Sequence, residues 1–178
     1  MIVITGPSAS GKTVAAKLLE KNYGFQKAIT TTSRAPRDGE VDGVDYFFIS
    51  KEEFENRLQK GMFVEYTLYN NNYYGCGKDQ VSDNRVIVTD LNGLHSFQAL
   101  NVPSLVTFLL ICNDDVRFSR MIDRGDKHEK ILERMQNDKY DFSMDKVGKI
   151  DFIVDTNLQE KEETAAIIYN LYKEKINN

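Results

Sequence analysis

Gly6-Pro7-Ser8-Ala9-Ser10-Gly11-Lys12-Thr13 is the stretch on which the reading of the fold turns. It matches GxxxxGK[ST], and its surroundings are those the pattern needs. An apolar run, Met1–Thr5, ends just before it, and a helix-compatible run from Lys12 to about Asn22 begins inside it. Glycines let the chain turn tightly, so successive backbone N–H groups can face one anion at a helix N-terminus, where aligned peptide dipoles favour negative charge. Gly6, Ser8, Ala9, Ser10, Gly11, Lys12 and Thr13 are therefore expected to cradle the phosphates of a nucleoside triphosphate. Lys12 supplies a point charge between the β- and γ-phosphates, and the Thr13 hydroxyl can join the coordination shell of Mg2+.

Working outward, the short apolar runs Val86–Leu91, Leu105–Cys112 and Asp151–Asp155 read as buried strands like Met1–Thr5. Helix-compatible segments lie between and beside them: Lys12 to about Asn22, Lys51–Lys60, about Leu91–Leu100, Asp114–Ile122, Glu129–Met144 and Glu160–Ile176. In the last, Ala165, Ile168, Leu171 and Tyr172 share a face while Lys173 and Lys175 can point to water. This alternation predicts an α/β fold with a central parallel sheet flanked by helices in three layers. Between about Thr31 and Asn84 the character changes: Pro36, Gly39, Gly43, Gly61, Gly75 and Gly77 punctuate the aromatic runs Tyr46–Ile49 and Phe63–Tyr66. Turn residues between strand-like runs predict a small strand-rich insert, and Asn70–Asn72 reads as a turn. From Asp114 to Tyr140 the chain is charged, with Arg117, Arg120, Arg124 and Arg134 among acids. On pattern alone that is a solvated helical face.

One domain accommodates the 178 residues. Charged residues make up 28% and apolar residues 41%, an ordinary soluble mixture, and no apolar run reaches the roughly eighteen residues of a membrane-spanning helix. The N-terminal run carries no basic region followed by an apolar stretch and a cleavage site. A formal net charge of −4 argues against a chain built to coat nucleic acid, whereas grouped arginines suffice for a small anion. Cys76 and Cys112 form neither a CxxC nor a disulfide framework, which fits a reducing cytoplasm. His95 and His128 have no carboxylate or cysteine at metal-ligand spacing, and there is no GxSxG elbow.

The phosphate loop by itself leaves ATPase, GTPase and kinase open. A GTPase would need a guanine-reading NKxD-like segment, which neither Val106–Asp114 nor Asp151–Thr156 supplies. A kinase must hold a second anionic substrate opposite the γ-phosphate. Thr32-Ser33-Arg34-Ala35-Pro36-Arg37-Asp38-Gly39-Glu40-Val41-Asp42-Gly43-Val44-Asp45-Tyr46-Phe47-Phe48-Ile49 has chemistry for this. Arg34 and Arg37 are close enough to converge on one phosphate through paired guanidinium donors, with the Tyr46 phenol nearby. Without further context, two arginines beside a proline turn also read as surface charge.

The same segment resembles the guanylate kinase signature, T-[ST]-R-x-x-[KR]-x-x-[DE]-x-x-G-x-x-Y-x-[FY], at every fixed position. Phe63-Val64-Glu65-Tyr66 resembles the family's F-[IV]-E, Asn72-Tyr73-Tyr74-Gly75 its N-Y-Y-G, and Asp90-Leu91-Asn92-Gly93 its D-x-[QN]-G. Arg120, Arg124-Gly125 and Arg134 resemble the arginines of its ATP lid. The resemblance implies ATP as donor, with Mg2+, and GMP or dGMP as acceptor. It divides the single domain 1–178 into a core (1–30, 85–113 and 141–178), a monophosphate-binding insert (31–84) and a helical lid (114–140).

Carried over, Arg120 and Arg124 join the phosphate loop at ATP. Lys12, Arg34, Arg120, Arg124 and Arg134 act catalytically by neutralising charge, and Thr13 and Asp90 stand toward the metal. Arg34, Arg37, Tyr46 and Tyr74 hold the acceptor phosphate, Glu65 meets the guanine base, and Thr30, Glu40, Cys76, Asp90 and Arg134 also bind the acceptor. Glu65 would accept from guanine N1–H and the exocyclic amine, a donor pair that adenine lacks on that edge. The chain departs from the pattern in four ways. Cys76 replaces a serine or threonine, Val88 an acid two residues before Asp90, and Thr30 a serine, and the lid between Arg124 and Arg134 is one residue shorter. Alternatives are a same-fold kinase for another deoxynucleotide or a sugar phosphate, a non-catalytic guanylate-kinase-like binding module, or a partner-remodelling ATPase. The expected partners are small-molecule nucleotides, with no nucleic acid and no membrane, for a cytoplasmic monomer or homodimer.

Overall fold

The computed structural model describes residues 1–157 and 160–177; Leu158, Gln159 and Asn178, within the expected core range, lie outside the described residues. Strand β1 (Ile2–Thr5) is buried throughout, as a continuous β-branched run in the middle of a parallel sheet should be. Helix α1 (Lys12–Tyr23) follows the phosphate loop, and β2 (Gln26–Lys27) returns to the sheet edge. Strand β7 (Arg85–Val88), helix α3 (Leu91–Gln98) and strand β8 (Val106–Ile111) come after the insert. Helices α4 (Asp114–Asp123), α5 (His128–Asp141) and α6 (Met144–Val147) then lead to β9 (Phe152–Asp155) and α7 (Lys161–Asn177). The sheet order is β2-β7-β1-β8-β9 with every pairing parallel.

The period of two along β1 sorts the core. Ile2 and Ile4 join Ala15, Leu19, Ile168 and Tyr172 of α1 and α7 on one face, while Met1 and Val3 join Leu94 and Phe97 of α3 on the other. Two elements differ from expectation at their ends. Strand β7 stops at Val88 because Asp90 caps α3, its Oδ1 accepting the Gly93 N–H at 2.9 Å. The helix expected over Glu129–Met144 breaks after Asp141, and Phe142 leaves helical geometry before the short α6 begins. The two-residue β2 gave no sequence signal; it is an edge pairing to β7.

Residues 31–84 form a second sheet of order β4-β3-β6-β5, from β3 (Thr31–Thr32), β4 (Phe47–Phe48), β5 (Phe63–Tyr69) and β6 (Asn72–Gly77), with α2 (Lys51–Gln59) packed against it. Asn70 and Asn71 turn β5 into β6 at positive φ, 47° and 61°, the two-residue hairpin turn that suits the twist of the strands. Ser50 caps α2 by accepting the Glu53 N–H, which directs Phe54 under the sheet. Phe54 is fully buried and stacks on Phe63 at 4.2 Å and on Tyr73 at 5.0 Å. Phe54→Ala should therefore cost about 3–5 kcal/mol of folding stability, read as a lowered urea midpoint.

Candidate active site

Ligand sites of open α/β sheets gather at the carboxyl ends of the strands. Here the chain leaves β1 into the phosphate loop, β7 into Asp90, β8 into Cys112 and β9 into Thr156. Gly6 passes so close to β8 that a Cβ would lie 2.3 Å from the Leu110 carbonyl oxygen, so only glycine fits. Gly11 enters α1 in left-handed geometry with no side-chain cap, and α1 has no acidic residue in its first turn. The N–H groups of Ala9, Gly11, Lys12 and Thr13 meet no protein acceptor among the described residues. The buried Ser10 Oγ has no partner among them either. Such a helix N-terminus fits an anion.

Lys12 Nζ donates to the carbonyls of Gly6 at 2.6 Å and Pro7 at 2.7 Å. Burial pushes Lys12 down to about 8; nearby Asp138 opposes the fall, while Arg117 and Arg124 reinforce it. A cleft of about 500 Å3 is lined by Lys12, Thr13 and their loop together with Arg120, Arg124 and Arg134. Arg120 is fixed by donating to the Ala9 carbonyl at 3.3 Å, the Thr156 hydroxyl at 3.2 Å and the Thr156 carbonyl at 2.7 Å. Arg124 and Arg134 share the Asp126 carboxylate, Arg134 at 2.9 Å, and Arg124 in particular holds that carboxyl below its ordinary pKa. Charged positions 120, 124 and 134 thus turn toward one cleft.

Arg117 departs from the solvated face expected of it: it is 3% exposed, and its guanidinium meets Ser8, Asp114 and Asp138. A local pattern offers no signal for this, since only Asp114 is near in sequence and the partners that bury it, Ser8 and Asp138, are 109 and 21 residues away. Thr156, also unanticipated, is buried and donates to the Ser10 carbonyl at 3.1 Å, tying β9 to the loop.

The acceptor-side residues form a second cluster on the small sheet. Arg34 makes a fork with Glu40, Nη1 to Oε2 at 3.0 Å and Nη2 to Oε1 at 2.9 Å, and Nη1 also donates to the Ala35 carbonyl at 2.6 Å. Of five guanidinium donors these bonds leave Nε–H and one Nη2–H, an edge of the right shape for two phosphate oxygens, with the Tyr74 hydroxyl as its neighbour. The Arg34 carbon lies 5.5 Å from the centre of the Tyr46 ring, and Tyr46 meets Tyr74 edge-on at 6.1 Å. Glu40 also accepts the Arg37 N–H at 2.7 Å, while the exposed Arg37 guanidinium makes no hydrogen bond or ion pair among the described residues. Thr30 accepts the Phe47 N–H on its carbonyl at 2.9 Å.

Glu65 sits half-buried on β5, beside a register irregularity, and accepts the Cys76 N–H at 3.1 Å. Burial raises its pKa, the Cys76 N–H opposes, and Asp90 adds to the rise. The Cys76 thiol, expected in the base pocket, is instead fully buried among Met1, Val3, Ala28 and Phe97, and burial pushes it up to about 12. Only its backbone N–H reaches a site residue. Asp90 spends one oxygen on the α3 cap and borders a separate hollow with His95 and Lys146 rather than the phosphate-loop cleft. Among the described residues no group of three or more His, Cys, Asp or Glu could hold a metal. The donors present still fit Mg2+, which keeps several waters and binds largely through substrate phosphates: Thr13 lines the cleft beside the open amides.

A guanylate kinase family profile matches residues 1–168. The chain belongs to the guanylate kinase family. Similar proteins include a guanylate kinase of Clostridioides difficile (strain 630), 33% identical over 141 residues, covering 75% of this chain and 69% of the relative. One from Oceanobacillus iheyensis is 34% identical over 167 residues, covering 86% and 78%. The crystal structure of guanylate kinase from Anaplasma phagocytophilum superposes with a TM-score of 0.69 over 100% of this chain and 86% of that one; at 24% identity it supports the fold. No helix among the described residues is long and apolar enough to cross a membrane.

Because burial opposes the charged form of Glu65, Glu65→Gln should raise the melting temperature of the free protein at neutral pH. A raised carboxyl pKa means the folded wild type binds a proton more readily than the unfolded chain. The advantage of the variant should therefore shrink as pH falls through the carboxyl range, measured by thermal melts across pH.

Proposed function

We propose that the chain transfers the γ-phosphoryl group of ATP to the 5′-phosphate of GMP or dGMP, giving GDP or dGDP. The observation that carries this reading is the shared cleft of the phosphate loop and Arg120, Arg124 and Arg134. With the arginine–tyrosine cluster of Arg34, Tyr46 and Tyr74 on the insert, the chain has two phosphate-binding chemistries on separate parts of one fold. An ATPase would need one. A guanylate-kinase-like binding module would need neither Lys12 nor Thr13.

The loop amides and Lys12 hold the triphosphate; Arg120 of α4 braces the loop against Thr156 at the end of β9; Arg124 and Arg134 leave Asp126 to meet the transferring group. The acceptor phosphate lies on the free edge of Arg34, with Arg37, Tyr46 and Tyr74 around it, and Glu40 keeps Arg34 aimed. Glu65 reads the guanine donors. The Thr13 hydroxyl would hold Mg2+ together with the triphosphate, and the ion would supply charge neutralisation there. The acceptor is already an anion, so no strong base is required, and catalysis is positioning and electrostatics. Closure of the insert, residues 31–84, and of the lid, residues 114–140, excludes water. Such an enzyme works in the cytoplasm on small nucleotides.

A phosphoryl-transfer assay with ATP and Mg2+ across the common nucleoside monophosphates tests this. GMP and dGMP should be phosphorylated, and Lys12→Ala should lower turnover on the order of a hundredfold to a thousandfold with the fold intact. Comparable turnover of AMP or a pyrimidine monophosphate would transfer the reading to another acceptor, and turnover of none would remove the kinase. In calorimetry, Arg37→Ala should weaken GMP binding about tenfold or more with ATP binding unchanged. Arg34→Ala should be worse, because it also frees the Glu40 carboxylate beside the phosphate.

A further inference from the structure

Ser8 has all three polar groups engaged by side chains of the helical segment. Its N–H donates to Asp138 Oδ2 at 2.9 Å, its hydroxyl lies 3.4 Å from Asp138 Oδ1, and its carbonyl accepts from Arg117 Nε at 2.8 Å. Arg117 of α4 and Asp138 of α5 are themselves paired through Nη2, and Arg117 Nη1 reaches Asp114 at 2.9 Å. Asp114 in turn lies 3.3 Å from Lys139 Nζ. The pair is buried: Arg117 is 3% exposed and the Asp138 side chain 11%.

A buried ion pair is a poor device for stability, since desolvation can exceed the attraction and an apolar pair of similar volume packs two helices as well. What an apolar pair cannot do is hold the donor and the acceptor of one loop residue at the same time. Neither side chain lines the phosphate-loop cleft. Both hold it through Ser8, next to the amides that remain open at Ala9, Gly11, Lys12 and Thr13, and their charges also bear on Lys12 in opposite senses.

We propose that Arg117 and Asp138 are positioning residues for phosphoryl transfer: together they strap Ser8 to α4 and α5 and so set the shape in which the open loop amides meet the triphosphate. The inference rests on the kinase reading above. It deepens that reading by giving the helical segment a second role beside its cleft-facing arginines, that of shaping the loop from behind.

The test compares Asp138→Ala and Asp138→Asn with wild type in steady-state kinetics and in amide exchange at Ser8. Asparagine keeps a carbonyl oxygen for the Ser8 N–H; alanine does not. D138A should lower kcat at saturating ATP and GMP by about tenfold to a hundredfold, as a loop displaced by about an ångström would, while KM for GMP stays within about twofold. Ser8 exchange should accelerate in D138A, and D138N should restore most of both. Should D138A fail to fold, Arg117→Lys keeps the charge facing Asp138 but gives up the Nε–H bond to the Ser8 carbonyl, and the same kcat loss is expected. A kcat within about twofold of wild type, or unchanged Ser8 exchange, overturns the strap. So does a D138N loss equal to that of D138A with Ser8 still protected. If wild type phosphorylates no nucleoside monophosphate, the kinase reading fails by itself. Calorimetry with a non-hydrolysable ATP analogue then decides the strap. Faster Ser8 exchange with weaker analogue binding in D138A supports it, and no change in both overturns it.

Discussion

The first turn of α1 presents backbone N–H groups that no side chain caps, at the carboxyl end of the central strand. Unpaired helix donors near low-dielectric surroundings are tolerated where an anion or solvent can satisfy them. The rest of the site answers to that constraint. Gly6 brings the loop against β8, where no Cβ fits. Thr156 and Arg120 fasten it from β9 and α4, and Arg117 with Asp138 fastens Ser8 from the far side. Lys12 rests on two loop carbonyls, poised where burial has already lowered its hold on a proton.

The arginines are held by acids that occupy part of their hydrogen-bonding capacity. Arg124 and Arg134 share Asp126, and Arg34 forks onto Glu40. The exposed pairs of Arg124 and Arg134 with Asp126 contribute little to stability, so giving them up costs little. The Arg34 fork differs in purpose. It leaves one paired-donor edge open and directs it, which a lone surface arginine would not do. A chain of net charge −4 can thereby concentrate positive charge at two arginine clusters without a basic surface.

On the insert, Cys76 divides its work between backbone and side chain. Its N–H anchors Glu65, and its thiol fills the core beneath α3. A thiol there packs as a small apolar group, while the raised pKa of Glu65 reflects a carboxyl already partly stripped of water. Removing water before substrate arrives lets a matched donor pair be distinguished sharply from a mismatched one.

The parallel strands, the loop–helix junction, the strand-rich insert and the Asn70–Asn71 turn were legible in the sequence because each rests on local periodicity or backbone freedom. Family spacing marked Arg34, Glu65, Arg120, Arg124 and Arg134. Burial was not legible where it depends on what packs from elsewhere. Arg117 looks like one more charge on a helix, and only the approach of α5 and the loop makes it a buried strap. Cys76 looks like a pocket residue, and the alternation of β6 against α3 turns its thiol to the core. Asp90 is a local case by contrast: one of its two carboxylate oxygens closes the first turn of α3 on Gly93, three residues on. The sequence by itself determined which elements form and which chemical groups the chain carries. The tertiary structure decided which of those groups face substrate, because that depends on partners tens of residues away whose distance no local pattern encodes.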